Sequence, residues 1–224
     1  MKFLMRAVML IVLASPTVAL AAASATPAAA TAAMANEALA KPASPVPATA
    51  TAIFAGGCFW CVETAFEGKP GVKSVVSGFT SGVKPNPTYE EVSSGGTGHA
   101  ESVQITYDPR VVSYAKLLDI FWHNIDPTQS NGQFCDHGTQ YRSGIYFAGA
   151  DQKLAAEASK RAIAAQLKKP IVTEIVAATT FYPAEEYHQD FWKKNPVRYW
   201  SYRTGCGRDA RLKQIWGKAP ESAH

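Results

Sequence analysis

Ile53-Phe54-Ala55-Gly56-Gly57-Cys58-Phe59-Trp60-Cys61-Val62-Glu63 is the stretch from which the rest of the chain is read. A short apolar run ending in two glycines predicts a strand that stops at a tight turn. Beyond the turn, Phe59, Val62 and Phe66 recur at helical spacing, so a helix starts at or near Cys58. A cysteine in the first helical turn meets unpaired N–H groups and the positive end of the dipole, which favour thiolate over thiol. Gly56 and Gly57 let backbone or substrate approach the sulfur. Phe59 and Trp60 add large apolar surfaces beside it. The competing reading is a buried structural cysteine in an ordinary strand–helix corner. The coincidence of glycines, helix start and rings favours a reactive sulfur.

Towards the N-terminus, residues 1–21 read as a secretory signal peptide. Lys2 and Arg6 precede an apolar run, Ala7 to Leu20, which closes in Ala19-Leu20-Ala21. The run is shorter than the roughly 20 apolar residues of a membrane span, so an uncleaved anchor is the lesser alternative. No cysteine follows it to carry a lipid. Residues 22–50 are mostly Ala, Pro, Ser and Thr and form a disordered linker. The folded domain is expected over 51–216, with a tail at 217–224, and its expected location is the periplasm.

The net charge of +4 includes Lys2 and Arg6 of the leader, and no basic cluster with interleaved aromatics follows. That argues against nucleic acid as a partner. All four cysteines (Cys58, Cys61, Cys135, Cys206) lie in the domain. Two structural disulfides are the default in an oxidising compartment. A domain of this size does not need such staples, which leaves the thiols for chemistry.

Along the domain, Val72 to Phe79 reads as a strand, Thr80 to Pro87 as a loop, and Thr88 to Ser93 as a short helical turn carrying Tyr89. From His99 to Tyr107 the alternation is informative. Val103 and Ile105 mark the buried face, and Glu101 shares their parity. A carboxyl on the core side is desolvated, which raises its pKa and lets it act as an acid near neutral pH. The plainer alternative is an edge Glu with its tip in water. Ser113 caps a helix whose Tyr114, Leu117, Leu118, Phe121, Trp122 and Ile125 are core, with His123 among them. Asp126 to Ser143 is a long polar loop, a length that usually carries function. A strand over Ile145–Ala148, a helix over Asp151–Lys168, a strand over Ile171–Thr179 and a helix over Tyr182–Lys194 stopped by Pro196 complete the pattern. His188 and His224 read as surface residues. The alternation predicts a two-layer α/β (α+β) sandwich with one mixed sheet.

Gly57-Cys58-Phe59-Trp60 resembles the signature of the peptide methionine sulfoxide reductase A family. Four further segments match in order: Pro87-Thr88-Tyr89, Gly98-His99-Ala100-Glu101, Asp136-His137-Gly138-Thr139-Gln140-Tyr141-Arg142-Ser143 and Lys194-Asn195-Pro196. The resemblance implies a fold of ferredoxin-like character. It also implies reduction of methionine S-sulfoxide, free or in oxidised proteins, without metal, flavin or nucleotide. By it Cys58 is the nucleophile and Glu101 the proton donor. Tyr89 and Tyr141 hold the sulfoxide oxygen, Asp136 orders the site, and Phe59 and Trp60 receive the methyl group, with His137 beside the substrate. Chemically, oxide is a very poor leaving group, so cleavage needs a nucleophile at sulfur and a proton at oxygen. Cys58 is left as sulfenic acid, which condenses with a thiol, and an external thioredoxin-like dithiol reduces the disulfide. Outside the cytoplasm a membrane-fed thioredoxin-like domain is the expected donor, and the enzyme is expected to be a monomer.

The chain departs from the family at recycling. Cys61 stands where many members have Gly, Cys135 where many have Asn, and Cys206 is followed by a helix-like stretch and not by a Gly-rich tail. Cys206 is the expected resolving thiol by its tail position, with Cys61 and Cys135 as alternatives. Two other readings stay open. One is an exported Cys-x-x-Cys thiol–disulfide oxidoreductase using Cys58 and Cys61. The other is a zinc-binding module of Cys58, Cys61, Cys135 and His137.

Overall fold

The computed structural model describes residues 47–217. The expected signal peptide, nearly all of the expected linker, the tail beyond Gly217 and His224 lie outside them. The chain enters through β1 (Ala50–Gly56), turns at Gly57 and starts α1 (Phe59–Phe66) with Cys58 as the N-cap residue. Gly57 has φ +82°, and a Cβ there would lie 2.6 Å from the Gln133 side chain, so only glycine makes this turn. β2 (Val72–Thr80), α2 (Tyr89–Ser93), β3 (Ala100–Tyr107) and α3 (Tyr114–His123) follow. Thr88 and Glu91 form a capping box on α2, and the Ser113 hydroxyl accepts the Lys116 N–H at the start of α3.

The long loop after α3 carries a two-stranded ribbon, β4 (Gly132–Gln133) and β5 (Asp136–His137), then a 3-10 turn at Thr139–Tyr141. β6 (Ser143–Phe147), α4 (Ala150–Leu167), β7 (Glu174–Ala177) and β8 (Tyr182–Pro183) complete the sheet. Its order is β7-β6-β1-β3-β2-β8. All neighbours are antiparallel except β6 and β7, so the sheet is mixed. Ala52 and Phe54 of β1, Val103 and Ile105 of β3 and Ile145 of β6 pack against α1, α3 and α4 in one core. Each fully buried large apolar side chain there is worth roughly 1.5–3 kcal/mol. The result is the two-layer α/β architecture expected.

β3 is a central strand, and its Glu101, Val103, Ile105 and Tyr107 are all buried. Glu101 is therefore not an edge residue. The segment after β7 departs from the expected helix over Tyr182–Lys194. It forms β8, a 3-10 turn at Glu186–His188, and only a short α5 (Phe191–Lys194). Beside its own short turns, this segment is tied to β2 and α1. Gln189 accepts the Ser77 N–H at 2.8 Å and donates to Ser77 O at 2.9 Å, and Asp190 N–H donates to Glu63 at 3.0 Å. Gly78 makes room for this crossing, since a Cβ would sit 2.3 Å from Tyr182 O. Pro196 opens α6 (Pro196–Gly205) at its first position, where a missing N–H is harmless. After Cys206, α7 (Arg208–Trp216) closes the described chain. Two further expectations are corrected. His123 is half-buried at the end of α3, bonding Asp119 and facing Trp216, outside the core cluster. His188 is buried, not on the surface.

Candidate active site

Cys58, Phe59, Trp60, Tyr89, Glu101, Asp136, Tyr141 and Tyr202 line one small pocket of ≈60 Å³. It gathers residues from α1, α2, β3, β5, the 3-10 turn before β6, and α6. Four of the five segments matched in the sequence thus meet at one point, and Lys194-Asn195-Pro196 lies outside the lining. Tyr202 was not foreseen. It stands four residues before Cys206, so a helical reading of the tail would have put both on one face. His137 does not line the pocket and is exposed. β5 turns its neighbour Asp136 inward and leaves His137 in solvent.

Glu101 reaches from β3 to the first turn of α1, where its carboxylate accepts the Phe59 N–H at 2.9 Å. Burial lifts its pKa to about 8. The Phe59 bond opposes the rise, while the charges of Asp136 and Cys61 add to it. Burial likewise holds the Tyr89 and Tyr141 phenols protonated, reinforced by the Glu101 charge. Asp136 accepts the Tyr202 hydroxyl at 2.5 Å and the Cys58 backbone N–H. Its pKa is raised by burial despite these bonds.

The helix start does not by itself ionise Cys58. Burial pushes that thiol well above its ordinary range, with Cys61, Glu101 and Asp136 adding to the rise. Cys61 moves the other way, to about 6, because it is hydrogen-bonded to Cys58, and Arg208 and Arg203 hold its charge against burial. Arg203 and Arg208 are themselves buried. Arg203 pairs with Asp209, while Arg208 donates to Gly56 O and Asn124 O and lies over the Phe134 ring. The buried arginines thus favour a negative charge on the cysteine pair, and the carboxyls on the Cys58 side oppose one there.

Cys58 and Cys61 are free thiols and buried, and Cys135 and Cys206 are joined in a disulfide. Cys206 caps α6 and is followed at once by α7, so it sits on ordered helices and not on a loose tail. Its partner here is Cys135, not Cys58. Cys135 is exposed and adjoins Asp136, its sulfur 3.8 Å from the carboxylate. Among the described residues, the groups of possible metal ligands are Cys135, Asp136 and Cys206, and Glu63, Glu67 and Asp190. Neither brings together Cys58, Cys61, Cys135 and His137. Two sulfurs of the first are spent on the disulfide, and the carboxylates of the second bond to Asp190 N–H, Ser77, Trp192 and Lys193.

A buried cysteine pair beside a small pocket lined by a carboxyl of raised pKa, phenols and two large rings fits a cysteine-dependent oxidoreductase. The family model for peptide methionine sulfoxide reductase matches residues 50–220. A peptide methionine sulfoxide reductase MsrA of Bacillus licheniformis is 53% identical over 169 residues, covering 75% of this chain and 93% of the relative. MsrA 2 of Caulobacter vibrioides is 50% identical over 177 residues, covering 79% and 90%. The methionine sulfoxide reductase A structure of Corynebacterium diphtheriae superposes with TM-score 0.62 at 39% identity, covering 67% of this chain and 77% of that one. Reduced Mxr1 of Saccharomyces cerevisiae gives 0.64 at 31% identity, covering 69% and 89%. The chain belongs to the peptide methionine sulfoxide reductase family.

Proposed function

We propose that this peptide-methionine (S)-S-oxide reductase works through the Cys58–Glu101 pair across its small pocket and is recycled through two pairs of thiols in sequence. The carrying observation is that Cys58, Glu101, Phe59, Trp60, Tyr89 and Tyr141 all line one small pocket. The methyl group lies on the rings and the oxygen meets Tyr89, Tyr141 and protonated Glu101. Cys58 attacks the sulfoxide sulfur while its proton passes to Cys61. Glu101 protonates the oxygen. Two electrons pass from the Cys58 sulfur to the methionine sulfur, methionine leaves, and the oxygen remains on Cys58 as sulfenic acid.

The Cys61 thiol then attacks that sulfenic acid and releases water, giving a Cys58–Cys61 disulfide. Contact between the two sulfurs supports this order. Both sulfurs are buried, which gives an external dithiol poor access to a bond between them. The Cys135/Cys206 pair reduces them by exchange and becomes a disulfide at the exposed side, where a thioredoxin-like dithiol reduces it. Direct attack by Cys206 on Cys58 is the second reading, favoured by the short path through Asp136. A plain Cys-x-x-Cys oxidoreductase would leave Glu101, Tyr89 and Tyr141 without a role. The leader and its Ala19-Leu20-Ala21 exit support export to the periplasm, with a membrane-fed thioredoxin-like domain as donor.

The test is a fully reduced enzyme given one equivalent of methionine (S)-sulfoxide without reductant, quenched with an alkylating agent and mapped by mass. A Cys58–Cys61 bond is expected first and a Cys135–Cys206 bond later. A first bond between Cys58 and Cys206 would replace the proposed order. No methionine formed would overturn the reading. For location, fractionation that finds the mature chain in the cytoplasm would refute export.

A further inference from the structure

His188 lies under the methyl pocket without touching its opening. It is 2% exposed and not among the residues that line the pocket. Its ring centroid is 4.2 Å from that of Tyr89, 5.1 Å from Phe59 and 5.7 Å from Trp60. One polar contact joins it to the site: the Trp60 indole N–H donates to His188 Nδ1 at 3.0 Å. The acceptor role of Nδ1 assigns the ring proton to Nε2.

Trp60 is otherwise held by apolar contact alone. Phe191 lies against one face at 3.7 Å between centroids, and Tyr202 meets it edge-on at 5.9 Å. Such stacking fixes the plane of the indole but lets it slide and rotate within that plane. A hydrogen bond at its edge removes that freedom. Resting on the reading that Trp60 receives the sulfoxide methyl group, we infer that His188 is a positioning residue, whose Nδ1 lone pair locks the indole where it closes the pocket and whose ring backs Tyr89 and Phe59.

The chemistry of the site argues against a packing role alone. His188 Nε2 is buried and has no hydrogen-bond partner among the described residues. An unpaired buried donor is unfavourable, and a phenyl ring would fill the same space without one. The fold keeps the imidazole for the nitrogen on its other side. Burial holds the His188 pKa down to about 4, with Arg198 acting in the same sense and Glu185 against it. The Nδ1 lone pair is therefore free to accept at neutral pH.

The experiment is a double-mutant cycle read as KM and kcat for methionine (S)-sulfoxide. His188→Phe keeps the ring and loses the acceptor. It should raise KM about tenfold with kcat within about twofold, the size expected for one lost hydrogen bond. His188→Gln, which can present an acceptor oxygen, should restore KM to within about threefold of wild type. In a Trp60→Phe background there is no N–H to hold, so adding His188→Phe should change KM by less than about twofold. His188→Leu serves in the same cycle if the Phe variant does not fold. An unchanged KM in His188→Phe, or an equal rise in the Trp60→Phe background, overturns the inference. Wild-type turnover run alongside tests the underlying activity separately.

Discussion

The carboxylate of Glu101, on the central strand, accepts the backbone N–H of Phe59, the residue directly after the nucleophile, at 2.9 Å. One bond thus ties the acid to the first turn of the helix that carries the sulfur. The acid cannot shift relative to Cys58 without breaking it.

Glu101→Gln keeps the bond to Phe59 N–H but has no proton to give. The kcat should fall by about 10²–10⁴, with KM changed little. Wild-type activity should decline as pH rises through about 8, where Glu101 loses its proton, and this limb should vanish from the residual activity of the variant.

The same shift bears on stability. The folded state binds this proton more tightly than the unfolded chain, whose Glu titrates near the ordinary value of about 4.3. The contribution is fully present below that value and is lost as pH rises to about 8. Urea unfolding at several pH values should therefore show Glu101→Gln gaining on wild type from pH 5 towards pH 8.5.

Asp136 raises the pKa of Glu101 through its charge. Asp136→Asn removes that charge, so the alkaline limb of the pH–rate profile should move to lower pH. Tyr202→Phe leaves the charge but removes the hydroxyl bonded to it. Asp136 should then take up a proton more readily, and the limb should move the same way by a smaller amount. Steady-state rates across pH 6–9.5 check both.

Cys61→Ser should still form methionine in a single turnover, more slowly, and should accumulate Cys58 sulfenic acid trappable by a dione reagent. Cys135→Ser and Cys206→Ser should complete one turnover normally. With a protein dithiol as reductant they should lose about tenfold or more of the steady-state rate, because the remaining pair is buried.

Gln189 occupies the place of a neighbouring strand at Ser77, filling both its N–H and C=O. Gln189→Ala leaves the Ser77 N–H unsatisfied, while Ser77 O keeps the Ala184 N–H, and should lower stability by about 1–3 kcal/mol in urea denaturation, with little effect on kcat.

Much of this was legible in the sequence because it is local. Gly56-Gly57 before Cys58 fixed the strand–turn–helix corner, and the parity of Val103 and Ile105 placed Glu101 on the helix-facing side of the sheet. The segment from Tyr182 to Asn195 was not legible. Its order comes from Gln189, Asp190 and Pro183 bonding to β2 and α1, partners more than a hundred residues away, which no local pattern records. His188 was misread for the same reason: polar neighbours in sequence suggest surface, while its neighbours in space are aromatic. The pull of Arg203 and Arg208 on the cysteine pair was not legible because both come from the far end of the chain. Tyr202 lacked a motif and is visible only once α6 is known.

Arg208 reaches back from the start of α7 to the carbonyls of Gly56 and Asn124, so the C-terminal segment is bolted to the strand that delivers the nucleophile. Such an anchored segment suits the proposed relay, in which oxidising equivalents hop outward between fixed stations and a reductant meets one face of the enzyme at every stage of the cycle.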